Sequence, residues 1–123
     1  MTLQEVLEVT EAKVLTSNVN LAQNATSAFS ADLMSDVLYL AKEGGVLLTG
    51  LTHPQVVRTA EMAGIAVILF VGSKTPPPET VQLAEEKGVP LLSSCCTMFE
   101  ASGRIYAAGL TSGHPSPQKE GRA

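Results

Sequence analysis

The sequence predicts an α/β fold on a largely parallel sheet of about five short strands, with both faces of the sheet covered. Three observations carry that reading. Short apolar runs alternate with stretches of helical periodicity along the chain, as they do where strands and helices are laid down in turn. The two strongest runs, Gly45-Val46-Leu47-Leu48-Thr49 and Ile65-Ala66-Val67-Ile68-Leu69-Phe70-Val71, are continuous and not alternating, as suits strands buried on both faces. Glycines, prolines and hydroxyl residues punctuate the intervening segments where helices start and stop.

The elements follow in order. A short helix near Leu3–Glu8 opens the chain, with strands expected at Lys13–Leu15 and Thr26–Phe29. From about Ala31 to Lys42, Leu33, Val37, Leu40 and Ala41 form one apolar helical stripe, which Gly44 and Gly45 end. The strand Val46–Thr49 leads to Thr52-His53-Pro54-Gln55, where a hydroxyl residue followed three later by Gln, with Pro in the first turn, reads as a helix start. That helix stops at Gly64, and Ala66–Val71 is the fourth strand. Thr75-Pro76-Pro77-Pro78-Glu79 makes a stiff turn into a helix reaching Lys87, which Gly88 closes in left-handed geometry. A strand at Pro90–Leu92 and a helix from Cys95 to Gly103, capped by Ser93-Ser94, complete the series. Periodicity leaves Ile105-Tyr106-Ala107-Ala108-Gly109-Leu110 open between an edge strand and a segment docked on the core.

With 123 residues, 45% of them hydrophobic, the chain supplies one core and not two, so a single domain over residues 1–110 is expected. Residues 111–123 carry no large apolar anchor and are expected to be a disordered tail.

Composition excludes several functions. A net charge of −4, eight scattered basic residues and 4% aromatics without Trp argue against nucleic acid and anionic membrane as partners. The start Met1-Thr2-Leu3-Gln4-Glu5 lacks the form of a signal peptide, and no run nears the ~20 apolar residues of a membrane span, so a cytoplasmic protein is expected. Cys95 and Cys96 are adjacent, and adjacent cysteines can neither staple distant segments nor make a C-x-x-C unit. They read as reduced and buried, in preference to a thiolate activated at a helix start. His53 and His114 with these cysteines fall short of a zinc set, and no metal or other cofactor is expected. Neither G-x-x-x-x-G-K-[ST] nor G-x-G-x-x-G occurs, which removes the usual machinery of phosphoryl transfer. No G-x-S-x-G elbow accompanies Ser93 and Ser94.

The most informative junction is Leu48-Thr49-Gly50-Leu51-Thr52-His53-Pro54-Gln55, with Arg58 one turn into the helix. In a parallel sheet it lies at the carboxyl edge, where crevices form and helix N–H groups can meet an anion. A glycine and a cap are also what any such turn needs simply to fold. Asp32 and Asp36, four apart, would share a helix face as an acid–base pair, although carboxylates in a first helical turn are also favoured by the dipole alone.

Ala31-Asp32-Leu33-Met34-Ser35-Asp36-Val37-Leu38, then Gly45-Val46-Leu47-Leu48-Thr49-Gly50-Leu51, then Pro90-Leu91-Leu92-Ser93-Ser94 with Met98-Phe99-Glu100-Ala101, together resemble a DRTGG domain over roughly residues 2 to 107. Asp32-Leu33 stands where that family has Asp-Arg, and Thr49-Gly50-Leu51 where it has Thr-Gly-Gly. The resemblance implies a three-layer α/β/α domain similar to the N-terminal domain of HPr kinase/phosphorylase, without that enzyme's kinase chemistry. It implies self-association as a homodimer, and a regulatory or subunit-contact role like that of DRTGG domains attached to phosphotransacetylases and CBS-domain pyrophosphatases. The reading that follows is a non-catalytic module in which Asp32, Ser35, Thr49, Gly50, Thr52, His53 and Arg58 bind a nucleotide or other small anionic ligand. The alternative is an accessory domain that docks on an enzyme subunit through an apolar helix face and has no small-molecule site.

Overall fold

The continuous apolar runs become the central strands of the sheet. In the computed structural model, which describes residues 1–115, the described residues form α1 (Leu3–Val9), β1 (Lys13–Val14), β2 (Ala28–Ser30), α2 (Met34–Leu40), β3 (Val46–Thr49), α3 (Pro54–Ala63), β4 (Val67–Phe70), α4 (Pro78–Lys87), β5 (Leu91–Ser93) and α5 (Met98–Ala107). The strands make one sheet in the order β1-β5-β4-β3-β2. Strands β2 to β5 are parallel, and only the edge strand β1 runs antiparallel, against β5.

Each parallel strand lies beside the next one in sequence, so successive right-handed crossovers place α2, α3 and α4 on one face. Alternation along the strands divides the core accordingly. Val46, Leu48, Val67, Leu69 and Leu92 point toward Leu3 and Val6 of α1 and Ala101 and Ile105 of α5. Leu47, Ile68, Phe70 and Leu91 point toward Val37, Val56, Val57, Ala60 and Ala84 of the other three helices. The result is the expected three-layer α/β/α arrangement, with β3 and β4 buried along their whole length.

Local signals set most boundaries. Thr2 and Glu5 form a reciprocal capping box on α1, and the Thr2 N–H and hydroxyl hold the exposed Glu5 carboxyl below its ordinary range. Gly64 and Gly88 end α3 and α4 with φ of 70° each, a backbone region that favours glycine.

Four expectations are corrected by the packing. Helix α2 begins at Met34, later than the stripe from Ala31 implied, because Ala31 extends the ladder of β2 by donating its N–H to Leu48 O at 3.1 Å. Helix α3 is capped by His53 and not by Thr52: its Nδ1 accepts from Gln55 N at 3.2 Å. Helix α5 starts at Met98 under a Thr97 cap; the buried Ser94 hydroxyl instead accepts from Cys96 N at 3.0 Å, ahead of the helix, and donates to Thr10 O at 2.6 Å. The helix then runs on to Ala107, so Ile105 and Tyr106 are helical. Finally, Cys95 is exposed and Cys96 half-buried, both ahead of the helix, where two buried thiols were expected.

Thr111 to Pro115, read from sequence as the start of a free tail, lie along the body. Thr111 O accepts from Ala28 N at 2.9 Å, and the His114 ring meets Leu40 O at 2.6 Å. The remainder of the expected tail, 116–123, lies outside the described residues. Among the described residues no helix is long and apolar enough to cross a membrane.

Candidate functional site

Parallel strands deliver their carboxyl ends to one edge, and the loops that follow them line it. Between the β3–α3 turn and α4 this edge opens into a cleft of about 740 Å³, within the range of small-molecule sites. Gly50, Thr52, His53 and Arg58, all expected from sequence, line it. The opposite wall comes from Pro77, Glu79, Gln82, Leu83 and Glu86 of α4 and its approach.

The turn itself is held by side chains. Asp32, leaving β2, accepts the Thr49 hydroxyl at 2.8 Å and the Gly50 N–H at 2.9 Å through Oδ1. The Thr49 hydroxyl in turn accepts from Leu51 N at 3.1 Å. On the far side the Thr80 hydroxyl donates to Thr52 O at 2.7 Å, which ties the turn to α4. A cleft whose walls are fixed this way needs little reordering to receive a ligand.

These bonds redistribute the roles expected from sequence. Thr49 is fully buried and serves the turn, offering nothing to the cleft. The amides of Gly50, Leu51 and Gln55 are taken by Asp32, Thr49 and His53, so the anion-receiving N–H groups expected there are in large part occupied. Asp32 is a latch across two strand ends. It precedes α2, and Asp36 lies within that helix, so the two carboxylates do not form a pair on one helical face. Ser35, exposed in the first turn of α2, lies outside this cleft. Gly50 has room: a Cβ there would meet nothing nearer than Asp32 Oδ1 at 3.9 Å.

Arg58 is exposed and has no carboxylate within ion-pair distance among the described residues. It shares the cleft with Glu79 and Glu86, so the lining is mixed in charge. The α4 wall was missed by sequence reasoning because nothing local reports which helix packs beside α3. The Pro-rich approach at Thr75-Pro76-Pro77-Pro78 was legible only as a turn.

Comparison with known proteins bears on this site. The sequence model of the family described as "DRTGG domain" matches residues 5–108. No curated protein matches the chain. Among solved structures, the chain is similar to the CBS and DRTGG domains of the regulatory region of Clostridium perfringens pyrophosphatase, complexed with its activator diadenosine tetraphosphate. The TM-score is 0.71 at 17% identity, over 85% of this chain and 45% of that one. This chain therefore spans less than half of that regulatory region, and the likeness is one of fold.

Proposed function

We propose, since this chain belongs to the DRTGG domain family, that it is a non-catalytic, cytoplasmic, ligand-sensing module whose α3–α4 cleft takes a nucleotide or other small anionic ligand. One observation carries the reading: a cleft of about 740 Å³, braced by Asp32 and Thr80, whose lining includes both Arg58, without an ion pair among the described residues, and the carboxylates of Glu79 and Glu86. A nucleotide suits that mixture. Its phosphate meets the guanidinium as a charge-assisted acceptor, and its ribose hydroxyls or exocyclic amine can donate to Glu79 and Glu86.

The regulatory character of the family supports the absence of catalysis, and so does the site. Among the described residues that line the cleft, no nucleophile, base and orienting group converge, and His53 spends Nδ1 on its own helix. That the neighbouring regulatory region of the Clostridium perfringens pyrophosphatase was crystallised with a dinucleotide activator supports the ligand class. The further resemblance to the N-terminal domain of HPr kinase/phosphorylase rests on sequence pattern alone.

A thermal-shift series over mono- and dinucleotides tests the proposal, because a ligand that binds only the folded state raises its apparent stability. At least one nucleotide near 1 mM, about 100 times a Kd of roughly 10 μM, should stabilise the protein by about 2.7 kcal/mol. Arg58→Ala should remove most of that gain and leave the unliganded midpoint unchanged. No shift with any nucleotide, or an equal shift in the variant, would rule the cleft out.

A second reading has its own support. Phe99 and Tyr106, one face of α5 apart by two turns, are 86% and 70% exposed, as an enzyme-docking or homodimer surface requires. Changing both to Ser should leave the fold intact and dissociate any self-association seen by sedimentation. If the wild-type chain sediments as a monomer, or the variant associates equally well, this face is not the homodimer contact.

A further inference from the structure

A second cleft, of about 470 Å³, opens on the other face of the sheet, between α5 and the edge strand β2. Its floor is apolar: Leu48, Ile105 and Leu110 line it, and all three belong to the core on the α1 and α5 side. Ser30 of β2 and Ser102 of α5 face it as well, and Tyr106, 70% exposed, stands with them. The segment after Leu110 makes the remaining wall. Among the described residues that line this cleft there is no Asp, Glu, Lys or Arg, in contrast to the α3–α4 cleft with its Arg58, Glu79 and Glu86.

That wall is bonded to the body at two places. Ala28 N donates to Thr111 O at 2.9 Å, and the His114 ring reaches Leu40 O at 2.6 Å through Nε2. A carbonyl only accepts, so Nε2 carries a hydrogen and holds the segment against the end of α2. Inside the cleft the Ser30 and Ser102 hydroxyls lie 2.6 Å apart and bond to each other. One of the two donates in that bond, so the other keeps its hydrogen for a guest, and lone pairs remain on both oxygens. The cleft therefore combines an apolar floor with a donor and acceptors and no countercharge.

We propose that this cleft binds an uncharged nucleoside through its base. The face of the base covers the apolar floor, which removes that surface from water, and its polar edge exchanges hydrogen bonds with the Ser30–Ser102 pair. The Tyr106 ring offers an aromatic face at the mouth, against which a planar ring stacks. A charged group drawn into this lining would leave water with nothing of opposite sign to meet it, so phosphate adds nothing to recognition here. At about 470 Å³ the space falls within the roughly 300–1,000 Å³ of small-molecule sites. The site is separate from the α3–α4 cleft and does not depend on a ligand binding there.

The probes are adenosine and cytidine, titrated into the full chain and followed by amide chemical shifts. Saturable shifts are expected with at least one of them at Ser30, Ser102, Tyr106 and Thr111. Ser102→Leu should abolish them by filling the space beside Ser30, with the remaining amides unmoved. Ser102→Ala, which keeps the space and removes one hydroxyl, should weaken binding roughly fivefold, as the loss of one neutral hydrogen bond does. Arg58→Gln should have no effect on these shifts. The 5′-monophosphate of the same nucleoside should bind at these amides no more tightly than the nucleoside itself. Shifts that never saturate, unchanged affinity in either Ser102 variant, or tighter binding of the monophosphate at these amides would overturn the proposal. None of those outcomes touches the α3–α4 reading, which Arg58→Ala tests separately.

Discussion

Phe70→Ala is expected to lower the unfolding free energy by about 3–5 kcal/mol, the range for deleting a fully buried aromatic ring. The ring is 0% exposed and belongs to the cluster of Leu47, Ile68 and Leu91 with Val56, Val57 and Ala84. It sits on β4, the middle strand of the order β1-β5-β4-β3-β2, so no edge is free to move in and close the cavity. Against a total stability of about 5–15 kcal/mol for a domain, the loss is a large fraction. Urea denaturation followed by circular dichroism reads it as a fall in midpoint at unchanged slope. A loss below about 1 kcal/mol, the level of an ordinary surface change, would contradict the packing described. The consequence reaches the cleft as well. Phe70 is the register partner of Thr49, the residue on which the Asp32 latch closes, so loosening β4 should weaken ligand binding along with the fold.

Asp32→Ala is the second large effect. It removes the acceptor of the Thr49 hydroxyl and of the Gly50 N–H. Thr49 is fully buried, and a buried donor left without its partner costs about 1–3 kcal/mol. The expected result is a destabilisation of that size, read by the same denaturation, together with loss of nucleotide-dependent thermal shift because the β3–α3 turn is no longer held. Asp32→Asn keeps a side-chain oxygen where Oδ1 stands and should recover the greater part of both. If Asn behaves as Ala does, the carboxylate's charge, and not its hydrogen-bond geometry, is what the turn requires. If neither variant changes binding, the latch has no part in the site.

This dual character of Asp32 explains why the candidate site was only partly legible. Asp32, Thr49, Gly50, Thr52, His53 and Arg58 are gathered at one strand edge, as the strand-to-helix pattern implied, because parallel strands must all end on the same side. What each one does there was not legible. A carboxylate after a strand and a hydroxyl at the end of the next carry no local mark saying that they will bond to each other. Ser94 shows the same limit: its sequence position suits a helix cap, but its hydroxyl accepts from Cys96 N ahead of the helix and donates to Thr10 O at 2.6 Å. The α4 wall was invisible for a related reason, since it comes from an element separate from the β3–α3 turn.

The amino-acid order alone determined the class of fold, the number and sequence of its strands and helices, and the stops at Gly64 and Gly88, because periodicity, capping and left-handed turns are properties of neighbours along the chain. Tertiary structure decided which side chains would line the cleft and which would be spent holding the turn. That choice depends on hydrogen bonds and charges between segments tens of residues apart, whose energies exist only once the sheet has brought them into contact.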